Sequence, residues 1–168
     1  MIRNIRKCMV VFLALVMSVY FASVSVLAEE STLENQGTIH GMGYKIYDRE
    51  GNLVESGIMP KSEAEAQLRV DYGSRTLRNG ESMLLDNYGT VFIVPSGAFI
   101  TMGFGLNRNA TVSARIYHWN KNKDLNSWTG FTGGTALNAR ATESLNAEGY
   151  IQNLSSDPIT VNWAYFRF

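Results

Sequence analysis

Cysteine is almost absent from this sequence: the single one, Cys8, lies in an apolar N-terminal run. The rest of the chain therefore has no disulfide, no catalytic thiol and no thiolate metal site. Histidine is scarce as well. His40 and His118 are the only two, and a metal centre built on them would need further ligands. No stretch concentrates Lys and Arg. That argues against a nucleic-acid partner, because phosphate binding needs clustered cations. G-x-S-x-G, H-E-x-x-H and a phosphate loop are missing too. There is no repeat, no low-complexity tract, no linker and no long run of helical period.

What is present begins with a secretory layout. Arg3, Arg6 and Lys7 head the chain, Val10 to Tyr20 is apolar apart from Ser18, and the small residue Ala28 precedes Glu29-Glu30. The competing reading is a membrane anchor, since Cys8 to Leu27 approaches the roughly 20 residues that a span requires. Three serines interrupt that stretch, which favours cleavage. A lipoprotein signal would place Cys directly after the cut, and position 29 is Glu. We therefore expect a signal peptide over 1–28, a flexible leader over 29–36 and one domain over 37–168, secreted or held at the cell surface. Three of the 15 basic residues leave with the signal, so 12 remain against 15 acidic ones, a net charge of −3. A secreted domain of about 140 residues buries most of its chain surface without bridges. Its lack of disulfides fits a bacterial exported protein better than an animal one.

From Thr38 onward the hydrophobic period is two. His40, Met42, Tyr44 and Ile46 share a face, and Asp48 to Asn52 is a turn leading to a return strand, so IYDREGNLVESG reads as a hairpin. Over Lys61 to Tyr72 a helix competes, with a capping-box pattern at Ser62 to Ala66, but the alternation is of period two and reads as a strand from about Ala66, after a helical turn. Asn79-Gly80 is a strong hairpin signal. Met83 to Leu85 and Val91 to Val94 are short strands, and VFIV, lacking alternation, reads as buried on both faces. Phe99 to Leu106 sets Ile100, Met102, Phe104 and Leu106 against Thr101, Gly103 and Gly105. The bare second face implies close approach of another backbone or a ligand.

Asn107 to Asn109 reads as a turn, after which Ala110, Val112, Ala114 and Ile116 point inward and Thr111, Ser113, Arg115, Tyr117 and Trp119 outward. Asn120 to Gly134 reads as the longest irregular segment. Glu148 to Phe168 reads as a hairpin turning at Ser155 to Pro158, with Ile159, Val161, Trp163 and Tyr165 on one face. Phe166 and Phe168 fall on the other parity, which requires either a bulge or burial on both faces. The predicted core includes Ile100, Met102, Phe104, Val112, Ile116 and Trp163.

Short strands with frequent turns argue for an all-β fold: one antiparallel β-sandwich, jelly-roll-like, or alternatively a partly open barrel. NGESMLL, VSARIYHWN and GYIQNLSSDPITVNW resemble small secreted jelly-roll-like β-sandwich domains of Gram-positive bacteria. The resemblance covers about Gly80 to Phe168 and is one of pattern. It implies the fold and an exported, cell-envelope setting, and it carries over no catalytic residue. Such folds host many functions.

Candidate chemistry is thin. The acidic residues are scattered, with no pair marked as a glycosidase dyad. No cofactor is expected. Asp86-Asn87 offers oxygen ligands suited to Ca²⁺, but an Asx-rich turn explains the pair more simply. The aromatic group is the one feature that stands out. Tyr117 and Trp119, with Arg115 in the same row, are followed by Trp128 and Phe131 in the polar segment. Such rings bind sugar faces or proteins, or else fold back to cover the sheet. The expectation is an exported, non-enzymatic binding or structural module. It would contact a glycan or a surface protein through Arg115, Tyr117, Trp119, Trp128 and Phe131. A membrane-active, toxin-like β-sandwich protein anchored by Trp128 and Phe131 is the second reading, and a secreted glycan-acting enzyme the third.

Overall fold

A computed structural model describes residues 38–62 and 75–168. The signal peptide expected over 1–28, the leader expected over 29–36 and the strand expected over Ala66 to Tyr72 lie outside the described residues. The strands are β1 (Ile39–His40), β2 (Met42–Tyr47), β3 (Leu53–Met59), β4 (Thr76–Leu77), β5 (Ser82–Asp86), β6 (Phe92–Val94), β7 (Phe99–His118), β8 (Lys123–Arg140), β9 (Leu145–Asn153) and β10 (Ile159–Arg167). A 3₁₀ turn, Trp119–Lys121, joins β7 to β8. All pairings are antiparallel. The order is β1-β10-β7-β9-β5-β2-β3, with β8 on β7, β6 on β9 and β4 on β10.

The long hairpin β7–β8 organises this order. The first half of β7 pairs with β10 through Thr101 to Leu106, and the second half pairs with β9 through Val112 to His118. The pairing with β8 slips between Gly105 and Ala110, where Asn107, Arg108 and Asn109 are exposed. The strand bends there without reversing, so the expected turn is instead a corner inside one strand. The two halves belong to two layers of a jelly-roll-like β-sandwich. Side chains meet across the layers: Phe92 of β6 stacks on Phe166 of β10 at 4.4 Å and 2°. Ile100, Met102, Phe104, Val112 and Ile116 are all fully buried between them, as their parity predicts.

Two expected hairpins turn out to be crossings. β9 and β10 are joined at Ser155 to Pro158 but do not pair; each lies beside a different half of β7. β4 and β5 flank Asn79-Gly80 in the same way: β4 pairs with β10, and β5 with β2 and β9. The turn itself forms, with Gly80 at φ +83. The two crossings are tied together at one end of the sandwich. Gly80 N donates to Asn153 O at 2.8 Å, and Asn79 Nδ2 donates to Ser155 O at 2.8 Å. Asn153, fully buried, donates through Nδ2 to Leu77 O and Asp157 O, both at 2.9 Å. A turn signal tells where the chain reverses, not which sheet it rejoins. The β2–β3 hairpin is as expected.

Three further expectations are corrected. Ile93 is 74% exposed, so VFIV alternates after all and is not buried on both faces. Asn120 to Gly134 is not irregular: all but its first few residues form β8. Trp163 is not in the core. Val161 opposes Leu106 but Trp163 opposes Gly105, which leaves Asn162 as the extra residue of a bulge. Val161, Ala164 and Phe166 are buried, while Trp163 and Tyr165 are turned to the outer face and half-buried.

Candidate functional site

The outer face of the layer containing the second half of β7 carries a polar trough. Its residues fall in two adjacent rows across the strands. Ser127, Arg115 and Tyr150 oppose one another on β8, β7 and β9; Thr129, Ser113, Gln152 and Ser82 do so on β8, β7, β9 and β5. Asp124 completes the lining of a cavity of about 320 Å³, at the small end of the ~300–1,000 Å³ typical of ligand pockets. Every lining side chain carries a hydrogen-bonding group. The second row is short-chained and makes the floor, where Thr129 Oγ1 donates to Ser113 Oγ at 3.2 Å and Gln152 Nε2 donates to Gly80 O at 3.1 Å.

Arg115 and Tyr150 make one wall. The guanidinium lies 4.5 Å from the Tyr150 centroid and 5.4 Å from that of Tyr117, within cation–π range of both. The two tyrosines meet edge to face at 5.8 Å and 81°. Tyr117 donates its hydroxyl to Asn122 Oδ1. Asp124 Oδ1 is 3.8 Å from Arg115 Nη1, so the trough has no net charge of its own. In the neighbouring row, where Glu148 opposes Tyr117, Tyr150 donates to Glu148 Oε2 at 2.9 Å. Burial first, and the neighbouring Glu148 second, push the Tyr150 phenol far up, so it stays a neutral donor. Burial also raises the Glu148 carboxyl, against the opposing hydrogen bond from Tyr150. One row beyond the floor, Phe131 opposes Thr111 on the same face and is 71% exposed.

The structure thus brings Arg115, Tyr117 and Phe131 to one face, on either side of the trough. It does not bring Trp119 or Trp128 there. Trp119 sits in the 3₁₀ turn and is 56% exposed. Trp128 opposes Ala114, a core residue, and packs against the core from the sheet edge. Tyr150, Gln152 and Asp124 were not singled out by sequence. Tyr150 alternates with Ile151 along β9, but which row it joins depends on the pairing with β7. Asp86 accepts from Lys45 Nζ at 3.0 Å and from Gly89 N at 2.7 Å, the Asx-turn arrangement. His118 is buried beside Glu143 at 3.5 Å, and the His40 ring stacks on Phe168 at 4.0 Å.

The architecture is that of an antiparallel β-sandwich with a solvent-facing trough on one layer. No protein-family model matches the sequence, and no curated protein does. Among solved structures, the chain is similar to the C-terminal CBM6 of LamC, a marine laminarinase from Zobellia galactanivorans. The TM-score is 0.36 at 13% identity, covering 74% of this chain and 86% of that one. It is also similar to a carbohydrate-binding module, CBM6cm-2, from Cellvibrio mixtus lichenase 5A in complex with cellotriose (0.35, 11%, 80% and 92%). A third is the low-affinity xylan-binding module CBM86 from Roseburia intestinalis (0.38, 9%, 55% and 72%). The likeness is one of general strand layout.

Proposed function

We propose that this domain is a non-catalytic glycan-binding module of an exported bacterial protein, and that the trough is its binding surface. One observation carries the reading: a floor of hydroxyls and an amide beside a guanidinium within cation–π reach of two tyrosine rings. Sugar hydroxyls both donate and accept, and Ser, Thr and Tyr hydroxyls answer them in either role. Arg115 offers donors from a fixed plane, and Tyr150 and Phe131 offer ring surface to the C–H faces of a sugar. Since Arg115 and Asp124 offset each other, a neutral oligosaccharide fits better than an anionic one.

The membrane reading requires Trp128 and Phe131 to act at one surface. They lie on opposite faces of β8, with Trp128 against the core. A glycan array tests the proposal. The labelled domain should bind neutral oligosaccharides, and Arg115→Ala should weaken that binding by about tenfold or more, the scale of losing one anchor residue. Its melting temperature should stay close to that of the parent, as for ordinary surface changes. An array without a bound glycan, or an Arg115→Ala protein that binds like the parent, would refute it.

A further inference from the structure

The other layer carries a second surface of different construction. On the outer side of β10, Trp163 and Tyr165 oppose Gly105 and Gly103 of β7, which in turn oppose Gly134 and Ala136 of β8. A Cβ at Gly103 would run into the Tyr165 ring, and one at Gly105 into the Trp163 ring. The rings therefore lie across the neighbouring strand, in the space its side chains have vacated. They are parallel, with an interplanar angle of 0° and centroids 6.0 Å apart. With Thr135 and Asn162 they line a cavity of about 660 Å³.

This shelf is built by specific devices rather than left over from packing. The extra residue Asn162 shifts the parity of β10, so that Trp163 and Tyr165 leave the core while Ala164 and Phe166 enter it. Arg75, only 7% exposed, holds the bulge: Nε donates to Val161 O at 3.1 Å and Nη2 to Asn162 O at 3.2 Å. Bare positions in the middle of strands normally weaken a sheet, and they mark sites where something approaches closely. Here the rings approach from one side and remain half-exposed on the other.

We infer that the Trp163–Tyr165 shelf is a second carbohydrate-binding site, separate from the trough, for the flat face of a linear β-1,4-linked glucan. A pyranose with equatorial substituents presents axial C–H groups on its faces and hydroxyls at its rim. Parallel aromatic rings match the faces, because they offer apolar area with little conformational entropy to lose. Two parallel rings 6.0 Å apart on alternate residues of β10 offer contacts to consecutive sugars of one chain. Asn162 and Thr135 in the lining meet the hydroxyl rim, and Arg167 lies 5.6 Å from the Tyr165 centroid. The inference does not depend on the trough. It concerns another layer and another set of residues.

Retention on microcrystalline cellulose, with soluble starch as the α-linked competitor, tests it. The parent domain should be retained on cellulose and not released by starch. Trp163→Ala should reduce retention on the order of tenfold, the loss expected from one aromatic anchor. Because Trp163→Ala also uncovers Gly105, a second variant keeps the test clear of folding. Ala136→Glu adds a charged side chain at an exposed floor position and should reduce retention comparably with an unchanged far-ultraviolet spectrum. A parent domain not retained on cellulose overturns the inference. So does undiminished retention of a folded Ala136→Glu protein. Arg115→Ala is measured alongside: loss of retention there, but not in Trp163→Ala, would assign cellulose to the trough and remove the shelf.

Discussion

Replacing Arg75 by methionine should lower the stability of the domain out of proportion to a single solvent-poor contact. Its guanidinium is the donor for both carbonyls at the β10 bulge, Val161 O at 3.1 Å and Asn162 O at 3.2 Å. Hydrogen bonds to a charged group contribute ~1.5–3 kcal/mol each, so the pair contributes ~3–6 kcal/mol. Against this stands the cost of taking a guanidinium out of water, several kcal/mol per ion, much of which those net hydrogen-bond values already contain. Burial pushes the Arg75 pKa down, which is the same cost seen as a titration. Methionine fills similar space, so the cavity contribution is small and the net loss should be about 2–4 kcal/mol. For a domain of this size each kcal/mol moves the melting temperature by about 4 °C, giving a fall of about 8–16 °C by scanning calorimetry. Arg75→Lys keeps the charge but has no planar fork to serve two carbonyls, and should fall nearly as far. A melting temperature for either variant within about 2 °C of the parent would refute the assignment of the bulge to Arg75, since such a shift is the range of ordinary surface changes.

Three other expectations follow from single residues. Trp128→Ala should cost about 2–4 kcal/mol in urea unfolding, somewhat below the ~3–5 kcal/mol of a fully buried ring, because Trp128 packs on the core from an edge; an unchanged midpoint would put the ring in solvent. Asn153→Ala removes two donated bonds at 2.9 Å and one accepted from Ser155 N at 2.8 Å, and should cost about 2–4 kcal/mol; loss below ~0.5 kcal/mol would show that the crossings hold without it. Glu148 has a raised pKa in the folded domain, so the folded state binds its proton more readily than the unfolded chain does. Stability should then fall as pH rises from the unfolded value of about 4.3 through the raised folded value. Glu148→Gln should flatten that fall and be the more stable protein at neutral pH; a parent whose stability rises with pH across that interval relative to the variant would contradict the sign.

The all-β class and most core rows are legible in the sequence because alternation survives wherever a strand has one face buried. Ile100 to Leu106 and Ala110 to Ile116 show this, as does the outward row of Arg115 and Tyr117. β8 is not legible for the same reason in reverse. It pairs with β7 along one side, and most of its residues are wet on both faces, so NKNKDLNSWTGFTGG lacks the apolar stripe that marks a strand. Trp163 is misplaced by parity because one bulge residue, Asn162, exchanges the two faces of everything after it. The parity conflict between Tyr165 and Phe166 signals that bulge, and the small residues Gly103 and Gly105 signal a close neighbour; only the register joins the two signals. The crossings at Asn79-Gly80 and Ser155 to Pro158 cannot be told from hairpins locally, because their partners lie 76 residues apart along the chain, as the Asn153 to Leu77 bond shows.

The unbroken run of β7 through both layers bears on how the domain comes apart. In many sandwiches one sheet can loosen while the other persists. Here Phe99 to His118 is a single strand whose two halves are central to different layers, and freeing either layer means unzipping the same ribbon. Amide protons of β9 and β10, though they never touch as partners, should therefore exchange through one common opening event, as in a single cooperative unit. Shelf and trough both stand on this ribbon, one on Gly103 and Gly105, the other on Ser113 and Arg115. A sugar held at either place would slow exchange at both, with no change of shape required between them.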